Sequence, residues 1–342
     1  MVRDARRETA RKGGRARRRR YGQHFLEPAW VRRVVDAIDP APADRFLEIG
    51  PGQGALTWAL ADRGARVLAV EIDRDLAASL QRDAGPDVEV LARDVLECDL
   101  VELAESLEPP HGSLEPPHGS LEPPHGSLEP PPESLEPPHG SLAPLDRALP
   151  ARVRVVGNLP YRVSAPILLQ VLRASDRGAG LQDAVVMLQQ EVAERVIAEP
   201  GSPAYGPLAV AVWLRATAER RLRLPPGAFR PAPAVHSAVV ALRFRPPPRP
   251  PRDPARFEAL VRSLFTQRRK QAGTALGPFA SRHGLSGPEV FRRAGLDARR
   301  RPGELAPSEL VALADALPPV EPAAPGDAVP PASADAFASD PD

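Results

Sequence analysis

With 342 residues and 42% hydrophobic side chains, the chain can bury at least one sizeable core and has room for about two domains. Its single cysteine, Cys98, excludes an internal disulfide and a thiolate-based zinc site and predicts a reducing compartment, the cytoplasm. No apolar run is long enough to span a bilayer, and the net charge of +1 conceals segregation: ten Arg and Lys in residues 1–20, fifteen against four acids in residues 240–303, and five acids with no base from Pro318 onward.

The arginine-rich start lacks the apolar stretch of a secretory signal and reads as a basic disordered arm over residues 1–20. Pro28 to Ile38 places Val31, Val34, Val35 and Ile38 at i, i+3, i+4, i+7 with Pro28 in the first turn, which predicts an amphipathic helix. Apolar runs at Arg45–Ile49, Arg66–Ile72 and Val88–Ala92 alternate with helical stretches at Ala55–Ala61 and Asp75–Arg82, giving a βαβαβ unit with Gly64 ending its first helix.

A seven-residue repeat, Ser-Leu-Glu-Pro-Pro-His-Gly, then starts at Ser106 and returns at Ser113, Ser120, Ser127 and Ser134. Paired prolines forbid a helix, so a disordered, polyproline-like insertion is expected over residues 105–143. Four of the seven histidines fall here (His111, His118, His125, His139), but so loose a backbone is not expected to hold a metal, and no metal site is assigned.

Beyond the repeat, Val153–Val156 and Ala184–Leu188 read as buried strands around a helix at Ala165–Ala174, and a last strand pair is predicted at Leu208–Arg215 and Ser237–Arg245. Proline-rich Pro246–Pro254 marks a boundary before helices at Arg256–Phe265, Pro288–Ala294 and Pro307–Leu317. The fold class is therefore α/β: a Rossmann-like sheet, parallel with an antiparallel edge, over residues 21–245, then a small basic helical domain over 246–317 and a disordered acidic tail over 318–342.

Chemistry concentrates at the carboxyl ends of the predicted strands. Gly50, Gly52 and Gly54 form a G-x-G-x-G turn between the first strand and its helix, where glycine lets a ligand approach the backbone. Glu71 ends the second strand, placed to accept from both hydroxyls of a ribose, and Asp94 follows the third, placed to accept from an adenine amino group. S-Adenosylmethionine and NAD share that adenosine, so these residues alone leave both open.

Asn158-Leu159-Pro160-Tyr161 follows the fourth strand on the same edge. The Asn158 side-chain oxygen and the Leu159 carbonyl can each accept one proton of an adenine amino group, Pro160 stiffens the turn, and Tyr161 offers its ring to the base. This combination indicates amino-group methylation from S-adenosylmethionine by orientation and charge placement, without a metal or covalent nucleophile.

Gly22-Gln23-His24-Phe25-Leu26, Glu48 to Gly54, Asn158 to Tyr161, Met187 to Val192, Tyr205 to Leu208, Phe229 to Pro233, Ser237 to Val240 and Gln267 to Lys270 stand in one order over residues 20–317. In these segments the chain resembles the small-subunit ribosomal RNA adenine N6-dimethyltransferases, the RsmA/KsgA family. The resemblance implies S-adenosylmethionine contacts at His24, Leu26, Gly50, Glu71, Asp94 and Asn158, and a base sandwich of Phe229 against Tyr161. It implies as substrate two adjacent adenosines near the 3′ end of 16S rRNA, in the small ribosomal subunit or its precursor. Arg268, Arg269 and Lys270 are assigned to RNA, and a monomer is expected.

Two alternatives stand beside this reading: a large-subunit adenine methyltransferase of the macrolide-resistance type, and an assembly factor with little catalysis. The sequence departs from the family at position 24, His where many relatives carry Asn, at position 236, His where Asp is usual, and in the repeat.

Overall fold

The computed structural model describes residues 23–42, 44–107 and 153–319. The basic arm, all of the repeat insertion but its first three residues, and the acidic tail from residue 320 lie outside the described residues.

The first half runs β1 (Phe25–Leu26), α1 (Pro28–Ile38), β2 (Arg45–Ile49), α2 (Ala55–Ala61), β3 (Arg66–Glu71), α3 (Arg74–Asp83), β4 (Val88–Ala92) and α4 (Leu100–Leu107). After the repeat come β5 (Val153–Asn158), α5 (Ser164–Asp176), β6 (Leu181–Gln189), α6 (Gln190–Val196), α7 (Pro207–Arg215), β7 (Ala216–Leu224), β8 (Phe229–Arg230) and β9 (Ser237–Phe244). Helices α8 (Pro254–Phe265), α9 (Ala272–Ala280), α10 (Gly287–Arg293) and α11 (Pro307–Asp315) complete the chain order.

Seven strands form one sheet in the order β4-β3-β2-β5-β6-β9-β7. β4 through β6 are parallel, and β9 runs antiparallel to both β6 and β7, as the alternating pattern predicted. One face of the sheet packs against α4 and α5 through Leu100, Ala104, Ile167 and Leu168, the other against α1, α2 and α3 through Val34, Leu60 and Leu80. Parallel order brings the carboxyl ends of β2, β3, β4 and β5 to one edge. Gly157 lets β2 and β5 close there, since a Cβ at that position would lie 2.3 Å from the Ile49 carbonyl oxygen.

Leu208–Arg215 is a helix, correcting the predicted strand. Pro207 opens it after Gly206, and all its apolar residues from Leu208 to Leu214 are buried except the half-buried Trp213. Leu208, Ala211 and Val212 enter the sheet core, whereas Ala209, Val210 and Leu214 enter a separate core with α8 to α11. A short apolar run buried on two sides carries no period that separates helix from strand. The strand beside β9 is instead β7, whose Glu219, Arg220, Arg221 and Arg223 disguised it; charge on an edge strand discourages pairing with another chain. Glu105, Ser106 and Leu107, assigned to the disordered insertion, are the last turn of α4, with Leu107 buried.

The two cores are joined by more than α7. Arg215 donates to Asp176 at the end of α5 (2.5 Å) and to Glu258 of α8 (3.1 Å), and Arg173 of α5 donates to the same Glu258 (3.3 Å). No helix among the described residues is long and apolar enough to cross a membrane.

Candidate active site

A cavity of about 330 Å³ opens at the carboxyl edge of β2 to β5. Gly50, Gly52 and Gly54 all adopt positive φ (68°, 61° and 82°), so the backbone folds over the start of α2 in a turn that side chains rarely tolerate. Gly50 and Gly52 line the cavity, whereas Gly54 stands behind them as the N-cap of α2. There a Cβ would come within 2.4 Å of the Trp58 indole nitrogen.

Glu71 is 4% exposed, and both its oxygens accept from backbone: Oε2 from Gly52 N and Oε1 from Asp73 N, each at 2.9 Å. Each oxygen retains a second acceptor position. Burial pushes this carboxyl above the usual range, and the Asp73 and Gly52 amides counter part of that rise. Asp94 lines the cavity with one oxygen accepting from Leu96 N (3.0 Å).

Ile72 and Leu96, at 41% and 40% exposed, also line the cavity. Exposed apolar side chains next to buried carboxylates can hold a flat, partly apolar ring such as adenine. Sequence reasoning missed both residues. The available signal was a large aliphatic residue beyond each strand-end acid, one position after Glu71 and two after Asp94.

Asn158 ends β5, and its Nδ2 donates to the His24 carbonyl at 2.7 Å. This fixes which way the amide faces: the nitrogen is occupied, and Oδ1, without a partner among the described residues, is left as an acceptor in the cavity wall. Leu159 is buried, its N–H donating to the Met187 carbonyl on the neighbouring strand (3.2 Å). Pro160 leads into a single 3-10 turn, Tyr161–Val163, that opens α5.

Tyr161 lines the cavity with its hydroxyl 2.8 Å from the Ser237 hydroxyl. One face of its ring is stacked by the His24 imidazole (centroids 5.2 Å apart, planes at 24°). His24 Nδ1 lies 2.7 Å from the Pro231 carbonyl, which only accepts, so this nitrogen carries the proton. Leu26 lines the cavity as well. Phe229 does not: its ring is 1% exposed, in β8 paired with Leu26 of β1, and packs in the core under α1. The structure therefore brings His24, not Phe229, onto Tyr161. At position 236 only the backbone is engaged, the carbonyl accepting from Gln190 N, and the side chain is exposed.

Of the three cations assigned to RNA, Arg269 and Lys270 are exposed. Arg268 is half-buried and donates to the Pro203 (2.6 Å) and Ser202 (3.3 Å) carbonyls, anchoring the loop before α7.

Glu48, the first residue of the glycine motif, is 1% exposed at the cavity floor and accepts from the Thr57 hydroxyl at 2.7 Å. Burial pushes its pKa from 4.5 up to about 7, against the lowering effect of Thr57. The folded protein thus binds this proton more tightly than the unfolded chain, and the associated stability, full below the unfolded pKa, is lost as pH rises through the folded one. Denaturant unfolding at about pH 5 and about pH 8 is expected to show wild type losing up to about 3 kcal/mol that Glu48→Gln retains. Equal pH dependence in the two proteins would exclude this assignment.

The model of the family described as "Ribosomal RNA adenine dimethylase" matches residues 14–288. The chain is 39% identical over 312 residues to a Burkholderia protein named ribosomal RNA small subunit methyltransferase A, covering 89% of this chain and 94% of the relative. Among solved structures, a dimethyladenosine transferase from Plasmodium falciparum superposes with a TM-score of 0.59 at 18% identity, covering 85% of this chain and 96% of the other. The 23S rRNA methyltransferase ErmE superposes at 0.53 and 23% identity, covering 86% and 99%. These two share the fold. With a family model matching well over half of the chain and a relative matched nearly end to end, the chain belongs to the ribosomal RNA adenine dimethylase family.

Proposed function

We propose that this protein transfers methyl groups from S-adenosylmethionine to N6 of two adjacent adenosines near the 3′ end of 16S rRNA, giving N6,N6-dimethyladenosines in the cytoplasm during biogenesis of the small ribosomal subunit. The observation that carries the reading is the fixed amide of Asn158: an acceptor held open beside the glycine turn, on the same sheet edge as Glu71 and Asp94. The name of the Burkholderia relative supports the small subunit over the large one.

The cavity fits S-adenosylmethionine. The remaining acceptor positions of Glu71 receive the ribose hydroxyls, Ile72 and Leu96 flank the adenine, and the second Asp94 oxygen accepts its amino group. His24, Leu26, the Gly50 backbone and Asn158 complete the wall. When bound, the cofactor supplies an electrophilic methyl group on a sulfonium.

Asn158 Oδ1 and the Leu159 carbonyl hold the amino protons of the target base, so that the nitrogen lone pair is turned toward the methyl position. Pro160 fixes the path of the chain between them, and Tyr161 bounds the base. One N–H remains after a first methylation, which a single acceptor suffices to orient for the second. The released proton passes to water.

The test is to incubate the protein with labelled S-adenosylmethionine and undermethylated small subunits, mature small subunits or large subunits, then map the label. Two adjacent dimethylated adenosines in the undermethylated small subunit are expected. Label confined to one large-subunit adenosine would reassign the substrate, and no label would leave RNA binding alone.

A further inference from the structure

Charge in and around the cavity is sorted by depth. The acidic side chains Glu48 and Glu71 are buried within it and Asp94 is half-buried in its wall, whereas Arg93 and Arg162 line it from exposed positions. The two proposed reactants are sorted the same way, a sulfonium cofactor that reacts inside and an anionic polymer that stays outside. Arg162 directly follows Tyr161, within the same 3-10 turn. Several arginines of this molecule are tied down, Arg154 to Asp44 and Asp183, Arg173 and Arg215 to Glu258, and Arg177 to Asp99, and among those that are not, Arg162 is the one that adjoins Tyr161 at the cavity. Arg162 has neither an ion pair nor a hydrogen bond to any described residue through its side chain. A guanidinium left unneutralised at a cavity mouth keeps its full attraction for an incoming anion.

We propose that Arg162 is the seat of an RNA phosphate, gripping the phosphodiester next to the target adenosine as the base enters beside Tyr161. This rests on the adenine-methylation reading of the cavity and extends it from the base to the backbone of the substrate. A polynucleotide cannot deliver a base to Asn158 without bringing its own phosphates to the rim, and position 162 belongs to the rim segment contiguous with the base site. The planar fork of arginine matches two phosphate oxygens at once, which a lysine cannot do. Contacts of this kind position a substrate and are sequence-independent, so the residue acts on binding of RNA, not on the methyl-transfer step. The cofactor carboxylate is the competing anion. It belongs to the same molecule as the deep adenosine site, and the experiment separates the two.

Steady-state methylation of undermethylated small subunits is measured over a range of salt for wild type, Arg162→Gln and Arg162→Lys, with S-adenosylmethionine affinity measured by titration in the absence of RNA. Arg162→Gln is expected to raise KM for the subunit roughly tenfold at low salt and to flatten the plot of log KM against log salt by about 0.7, the share of one single-strand phosphate. Arg162→Lys should keep the slope while recovering only part of KM. In both variants kcat falls far less than KM rises, and cofactor affinity stays as in wild type. An unchanged salt slope and subunit KM in Arg162→Gln overturns the proposal, as does weaker cofactor binding without an effect on the subunit, which would hand Arg162 to the carboxylate. If wild type labels no adenosine, the methylation reading itself fails; if it labels and the variants match it, only the Arg162 proposal does.

Discussion

Replacing Asn158 with alanine is expected to lower kcat for methyl transfer by roughly 10²–10³ while cofactor binding remains measurable. An adenine amino nitrogen is a poor nucleophile because its lone pair is delocalised into the ring, and the enzyme's part is to hold both amino protons so that the nitrogen pyramidalises and the pair is localised toward the methyl position. Removing one of two fixed acceptors forfeits about 3–4 kcal/mol of orientation and charge placement that exist only at the transition state. The cofactor keeps its contacts at Glu71, Asp94 and the glycine turn, so its affinity should change by less than about tenfold. The variant also loses the bond from Nδ2 to the His24 carbonyl, and an unchanged unfolding midpoint would separate the catalytic loss from loosening of β1. Near-normal kcat at saturating cofactor and subunit would remove Asn158 from the reaction.

Asn158 was legible in the sequence for the same reason as Gly50, Glu71 and Asp94. Buried parallel strands are short apolar runs, and the residues just past the end of each run must lie on one edge, so position in the chain becomes position in the site. That logic does not extend to residues placed by tertiary contact. Phe229 stands in a motif that the family resemblance assigns to the base, yet β8 pairs it with Leu26 and turns its ring into the core. His24, more than a hundred residues away from Tyr161 in sequence, reaches that ring only because β1 is held against the segment around Pro231. Arg268 looked like a phosphate ligand because it sits in a basic run, and only the fold shows its Nη2 already donating to two carbonyls. Leu208–Arg215 failed as a strand because burial on two cores erases the period from which either type of element is read. Ile72 and Leu96 were passed over because an exposed aliphatic residue becomes meaningful only once a cavity is seen beside it.

Arg154 holds the other end of the strand that carries Asn158, and Arg154→Met is expected to destabilise the fold by about 3–5 kcal/mol. Arg154 is 9% exposed and uses all five of its N–H donors. Nε and Nη2 grip Asp183 of β6 at 2.9 Å each, Nη1 reaches Asp44 before β2 at 2.8 Å, and the Asp39 and Ile38 carbonyls at the end of α1 accept at 3.1 and 2.7 Å. The guanidinium also lies over the Phe46 ring, 5.2 Å from its centre. One side chain thus pins β5 to α1, to the entry of β2 and to β6, four residues before Asn158. Methionine fills the space but leaves the Asp183 carboxylate and two carbonyls of a largely desolvated site without the arginine donors, and Asp44 with only the Ala41 amide (2.9 Å), so stranded charge, not the lost pairing energy, dominates the cost. Lysine has too few donors to replace the fork. The unfolding midpoint should fall by roughly 10 °C. Adding Asp183→Leu to Arg154→Met should recover part of the loss by removing one of the orphaned charges. At temperatures where the variant stays folded, KM for cofactor and subunit should match wild type, because the partners of Asn158 are untouched. A loss below about 1 kcal/mol would mean that water screens this cluster as it does a surface pair.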